Sequence, residues 1–160
     1  MTSPSQVPVP SQVPVPSQVP VPSSPAVPEW AADFHSALDD RMGIELLELS
    51  SERVVARYPV QGNTQPMGLW HGGASAVVVE TLGSFGAFAH AREHHKAAVG
   101  VDLSVTHHRP VKEGWVTGTA DPLHVGRTTT TWEVVLTDDR GRRVATGRIT
   151  CQFVTAPPTS

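Results

Sequence analysis

The sequence has a single cysteine, Cys151, among 160 residues. That excludes an intramolecular disulfide and any four-cysteine zinc site. A cationic surplus is also missing: 12 Lys and Arg stand against 15 Asp and Glu, for a formal charge of −3 and a pI near 6.2. Without that surplus there is little counterion release to gain on a phosphate backbone, so nucleic acid is not an expected partner. Charge of either sign is scarce, at 17% of residues, and the scarcity is local. Residues 1–28 carry no charged side chain and no glycine but nine of the 15 prolines, so every charged residue follows Pro28. No clean membrane-spanning run is present. The nearest approach, Gly72–Ala91, holds one charged residue, yet it includes four glycines with Ser75, Glu80, Thr81 and Ser84, and it reads as a buried core helix. No basic-then-apolar start precedes a small-residue cleavage site, so no signal peptide is expected and the chain is read as cytoplasmic.

What is present divides at residue 28. Residues 4–21 are three copies of Pro-Ser-Gln-Val-Pro-Val. Prolines at such spacing, without large side chains, favour an extended polyproline-II-like tail rather than a packed core. Residues 1–28 are therefore expected to be a disordered spacer; a role as an SH3-type ligand is weakened by the lack of flanking Arg or Lys. Residues 29–157 are expected to form one domain. Trp30–Asp40 reads as a short helix, Ile44–Leu49 and Arg53–Val60 as strands, and Gly72–Ala91 as the longest helix. Beyond it the apolar period becomes two, with Val101, Leu103, Val105 and His107 on one face of a strand. Trp115–Leu123, Thr128–Thr137 and Arg143–Thr155 follow as strands, the last two joined at Asp138-Asp139-Arg140-Gly141. The fold class is α+β, an antiparallel sheet wrapped around one long apolar helix.

Glu80 lies inside that apolar helix. A buried, unpaired carboxylate costs several kcal/mol or stays protonated, so its presence needs a reason. It is either paired to a strand arginine, placed at a subunit seam, or chemically active. Ser84 is four residues on, along the same face, where its hydroxyl can orient the carboxylate or a water. The helix opens with His71-Gly72-Gly73, which leaves backbone N–H groups uncovered at the positive end of the dipole, suited to a developing oxyanion. Gln65 supplies a neutral amide donor just upstream. Gly72 and Glu80 are about 12 Å apart along one helix at roughly 1.5 Å per residue. Both cannot reach one small acyl group from the same helix, so joint action requires a homodimer with shared sites.

The run Gln65-Pro66-Met67-Gly68-Leu69-Trp70-His71-Gly72-Gly73-Ala74-Ser75, followed by Glu80-Thr81-Leu82-Gly83-Ser84, resembles the hot-dog-fold acyl-CoA thioesterases. Thr106-His107-His108-Arg109-Pro110-Val111-Lys112-Glu113-Gly114 and Pro122-Leu123-His124-Val125-Gly126-Arg127 fit the same pattern. The resemblance covers about residues 40–155. It falls within the phenylacetate-type and 4-hydroxybenzoyl-CoA thioesterase branch with a mid-helix glutamate. Within that branch it looks closest to enterobactin-pathway proofreading thioesterases and 1,4-dihydroxy-2-naphthoyl-CoA hydrolases. The resemblance implies hydrolysis of acyl-CoA, with an aromatic acyl group, by a homotetramer built from two dimers and needing no cofactor. It assigns Glu80 as nucleophile or general base, Gly72 N–H and Gln65 as carbonyl polarisers, His71 beside the thioester sulfur and Ser84 as the hydroxyl that positions water. It places His107 in the acyl pocket and Arg109, Arg127 and Thr128 against the CoA phosphates or nucleotide. Two alternatives stay open: proofreading of acyl groups attached to a carrier protein, and acyl-CoA binding without turnover, which Glu80 and Ser84 together disfavour.

Other signals read as structural. His90-Ala91-Arg92-Glu93-His94 matches the H-x-x-E-H zinc pattern but reads as a solvated helix terminus, so no metal is expected. His107 and His108 alternate across a strand and cannot chelate one ion. Cys151 alternates with Ile149 and Phe153 and reads as packed. Trp70, Trp115 and Trp132 are left between acyl pocket and core.

Overall fold

A computed structural model describes residues 27–32, 34 and 36–156. The proline repeat and the expected domain end at residue 157 lie outside the described residues. A 3₁₀ turn at Glu29–Ala31 precedes helix α1 (Ala37–Met42). Strands β1 (Glu45–Leu49) and β2 (Val54–Pro59) follow, then helix α2 (Gly72–Glu93), then β3 (Lys96–His107), β4 (Trp115–Val125), β5 (Thr129–Asp138) and β6 (Arg143–Thr155). All six strands form one antiparallel sheet in the order β1-β2-β4-β5-β6-β3.

The start of the domain differs from the sequence expectation of one helix over 30–40. Ser36 is extended, at φ −109° and ψ 154°, and its hydroxyl accepts the Asp39 N–H at 3.1 Å. That N-cap starts a new helix, because a capping hydroxyl satisfies a donor that the first turn cannot. The segment ahead packs separately, with Phe34 stacked on Phe88 at 4.5 Å and Arg92 over the Trp30 ring at 4.1 Å.

The sheet packs on α2 through the period-two pattern. Thr130, Trp132, Val134, Leu136 and Asp138 are the buried positions of β5, and Val116, Gly118 and Ala120 those of β4. The helix settles close because small residues meet large ones: a Cβ at Gly86 would overlap the Trp132 ring, and one at Gly83 would overlap Ile149. Trp132 is fully buried, and Trp70 is buried with its indole N–H donating to Ser75 Oγ at 2.8 Å. Both are core. Trp115 instead lies under the Arg57 guanidinium, 4.4 Å away.

The described residues of one protomer do not enclose α2. Its sheet side is buried, while Gly73 is exposed and Ala76, Val77, Glu80, Ser84 and Phe88 are half-covered along the other side. The helix is long and apolar enough to cross a membrane, but 61% of its apolar window is buried within this fold. Strand β3 forms one edge of the sheet. It begins at Lys96, five residues before the sequence pattern suggests, and a register shift between Gly100 and Asp102 breaks the alternation at Val101.

Candidate active site

The first group of site residues gathers at the N-terminus of α2. Residues 65–69 form a tight loop: Gly68 N–H donates to Gln65 O at 2.8 Å, and Gln65 N–H to Leu69 O at 2.8 Å. Gly68, at φ 73°, takes the left-handed position that closes such a loop. The Gln65 side-chain carbonyl accepts the Met67 N–H at 3.1 Å. That bond engages the oxygen within the loop and leaves the amide NH₂ as the group to offer a substrate. The loop is tied to the helix start by His71 N–H donating to Asn63 O at 2.9 Å. Asn63 is itself anchored, its amide donating to Met42 O and Pro59 O at 2.8 and 2.9 Å.

His71 caps the helix, Nδ1 accepting the Gly73 N–H at 2.8 Å. With Nδ1 engaged as acceptor, the neutral ring carries its proton on exposed Nε2. Gly72 is the first helical residue, and among the described residues none accepts its N–H. A Cβ at Gly72 would sit 3.0 Å from His107 Nε2, so the absent side chain lets the histidine close over this backbone. His108 points to the other face, 3.1 Å from Thr146 Oγ1, as strand alternation requires. Arg109 follows at the same end, its N–H on Val144 O at 3.1 Å.

The second group lies two turns along. Ser84 Oγ donates to Glu80 Oε1 at 3.3 Å, the i to i+4 contact expected from spacing. Among the described residues no cation pairs with Glu80, so the strand-arginine explanation of this carboxylate does not hold. Two neighbours escaped the sequence reading. Gly100 of β3 faces the carboxylate so closely that a Cβ there would sit 2.5 Å from Glu80 Oε1. A lone glycine within a strand pattern is the signal for such an approach. Because the group in its way is the tip of a flexible side chain, Gly100→Ala should displace the carboxylate rather than unfold the protein. On the reading that Glu80 is the reacting group, the expected result is a loss of about 10–100-fold in kcat, with Tm nearly unchanged.

Cys151 is the other neighbour, fully buried with Sγ 4.0 Å from Ser84 Oγ. Burial pushes its thiol up to about 11, assisted by the Glu80 charge and opposed by the Ser84 hydrogen bond. The folded state thus holds the proton more tightly than the unfolded chain, whose reference value is 9.0. This contribution to stability is intact below pH 9 and is lost as pH rises from about 9 towards 11. Native protein at pH 8 should therefore not react with a disulfide reagent until it is unfolded, which a colorimetric thiol assay checks directly.

Arg127 and Thr128 form a third group. They occupy the β4–β5 turn beside the C-terminus of α2, where Arg127 O accepts from the Lys96 ammonium at 3.4 Å. Gly72 is at the other end of a 22-residue helix, roughly 30 Å away at about 1.5 Å per residue. One protomer therefore unites Gln65, His71, Gly72, His107 and Arg109, and separately Glu80 with Ser84. It does not bring Arg127 or Thr128 to either group.

The thioesterase superfamily pattern matches residues 67–145. The proofreading thioesterase EntH of Cronobacter turicensis is 43% identical over 113 residues, which is 70% of this chain and 82% of that one. The structure of thioesterase HI1161 from Haemophilus influenzae superposes with a TM-score of 0.71 at 30% identity, over 75% of this chain and 84% of the other. The E. coli PaaI protein from the phenylacetic acid degradation operon gives a TM-score of 0.71 over 81% and 93% of the two chains. At 20% identity the PaaI likeness speaks to the fold alone.

Proposed function

Because this chain belongs to the thioesterase superfamily, has the hot-dog fold and is a thioester hydrolase, we propose that its substrate is an acyl-CoA with an aromatic acyl group, split into free acid and CoA in the cytoplasm. The observation that carries the site assignment is Glu80: a half-buried carboxylate with no cation paired to it among the described residues, hydrogen-bonded by Ser84, on the half-covered side of α2. The substrate's thioester carbonyl takes hydrogen bonds from the Gly72 N–H and the Gln65 amide, which stabilise negative charge as it develops on oxygen. Glu80 of a partner subunit then acts in one of two ways. It attacks the carbonyl carbon, expelling the thiolate and leaving a mixed anhydride that water opens, or it takes a proton from the water that attacks. The departing thiolate is a good leaving group and needs no metal to activate it. His71, with its proton on Nε2, is placed to donate towards the sulfur.

The shared site is supported by the edge strand. Val99, Val101 and Leu103 of β3 are 45%, 56% and 38% exposed. An apolar edge strand left unpaired is a liability. Pairing β3 with its copy covers it and brings the two Glu80–Gly100 contacts towards the seam. A homodimer follows from this reading, and its doubling to a tetramer is what the family resemblance implies. The aromatic acyl group is supported by Phe88, one turn beyond Ser84, with Phe34 stacked on it and Trp30 at 6.0 Å. His107 lines the acyl pocket, and Arg109, Arg127 and Thr128 meet the CoA phosphates or nucleotide from one subunit or another. The second reading, proofreading of acyl groups on a carrier protein, draws on the name of the 43% identical relative.

Mixed oligomers test the arrangement. Gln65→Ala and Glu80→Ala proteins, each inactive, should regain about a quarter of wild-type turnover when unfolded and reassembled together, since random two-fold pairing leaves one intact site per heterodimer. No recovery, with heterodimers confirmed by mass, would remove the shared site. A panel of benzoyl, phenylacetyl, hydroxynaphthoyl and C4–C16 esters of CoA, beside aroyl carrier protein, identifies the substrate.

A further inference from the structure

The C-terminus of α2 keeps helical order to its last residues. His95 takes φ 56°, a left-handed cap, with His94 N–H on Ala91 O at 3.0 Å and His95 N–H on Arg92 O at 3.1 Å. Helix α2 ends at Glu93 and His94 is its C-cap, at φ −113° and ψ 16°, so His90 on the last turn and His94 at the cap still lie about one turn apart. Their rings are 5.0 Å apart at 61°. His90 is half-buried, its ring against Phe153 at 5.5 Å, while Glu93 and His94 are exposed. One ligand atom from each of His90, Glu93 and His94 lies within 4.8 Å of the others.

We propose that His90, Glu93 and His94 bind a divalent first-row transition ion of the zinc or nickel type, with water completing its coordination. Two imidazoles and a carboxylate are the donor set such ions accept. Donors around a tetrahedral ion at about 2.0–2.1 Å stand roughly 3.4 Å from one another. The fixed His90 ring sets the site, and the two exposed side chains close the remaining distance by rotation without moving the core. The carbonyl end of the helix, with about half a negative charge, adds attraction for a cation. The H-x-x-E-H pattern thus makes a chelate because the turn bonds at the C-cap hold His94 beside the last helical turn that carries His90 and Glu93. Opposing it are Lys96 and Arg127, which line the same cavity of about 240 Å³. The Lys96 ammonium is engaged at the Arg127 carbonyl. These two cations make an anion the rival occupant.

Calorimetric titration of the tag-free full chain with ZnCl₂ and NiCl₂, in phosphate-free buffer, tests the site. One ion per chain is expected, with Tm rising on addition of metal. Because losing even a supporting partner of a metal ligand costs about 10–100-fold, His94→Gln and His90→Ala should each weaken binding by at least that much. Glu93→Gln should weaken it less, and His108→Ala should leave it unchanged. Cobalt(II) should give a visible absorption band in wild type that is absent in His94→Gln. The proposal is overturned if wild type binds no ion, or binds as well after both histidines are replaced. Heat from inorganic phosphate alone, with none from metal, would also overturn it and assign the cavity to an anion. Equal Tm values in metal-free buffer establish that the variants are folded.

Discussion

Glu80→Ala is expected to lower kcat for thiol release from an aroyl-CoA by about 10²–10⁴-fold, the span attached to losing a positioned acid–base group or nucleophile. That corresponds to about 3–5 kcal/mol of transition-state stabilisation. The side chain touches Ser84 and lies against Gly100, and it carries no ion pair among the described residues. Its removal should therefore cost little stability, and the loss should fall in kcat. Glu80→Gln retains shape and a hydrogen-bond acceptor for Ser84 while deleting the charge; it should be nearly as impaired, because a neutral amide neither attacks a carbonyl nor removes a proton. Ser84→Ala should lose less than either, since it only orients the carboxylate. Thiol release that is unchanged in Glu80→Gln would take Glu80 out of the reaction. The buried, un-ionised Cys151 should keep the colorimetric background low in these assays.

Asp39→Ala is expected to have the largest effect on stability. Asp39 is 2% exposed, and its carboxylate accepts from Thr81 Oγ1 at 2.9 Å, Tyr58 Oη at 3.3 Å and Ser36 Oγ at 2.6 Å. One carboxylate thus joins the start of α1, strand β2 and the middle of α2. Burial, with the Asp39 charge beside it, holds the Tyr58 phenol far above its ordinary range, so it remains a donor at any working pH. Truncation leaves the Tyr58 and Thr81 hydroxyls without their acceptor in the interior, at about 1–3 kcal/mol each. The sum, about 2–6 kcal/mol, should lower Tm by about 10 °C or more. Asp39→Asn keeps one acceptor oxygen and should lose much less. A Tm within 2–3 °C of wild type in Asp39→Ala, roughly 1 kcal/mol, would mean that water replaces the carboxylate.

The sequence alone was enough for the layout of the domain. Period-two alternation marked β4, β5 and β6, with Arg143–Thr155 matching its strand end to end, because each has one face on the core and one in solvent. The long helix was visible as a near-continuous apolar run, and the His71-Gly72-Gly73 opening and the Glu80–Ser84 spacing were legible because helical geometry fixes both. The first helix was misread because its limit depends on one capping hydroxyl at Ser36, a contact of three residues that leaves no periodic trace. Only the tertiary structure placed Gly100 and Cys151 beside Glu80 and set Trp70 and Trp132 in the core, since these contacts join residues 20 or more positions apart or depend on which face a helix buries. Only it brought Asp39 to Thr81, 42 residues away, and turned an H-x-x-E-H pattern into three converging donors. Local spacing determines which side chains share a face; which faces meet is decided by packing over the whole chain, and among the described residues that packing leaves β3 exposed and one side of α2 only half-covered.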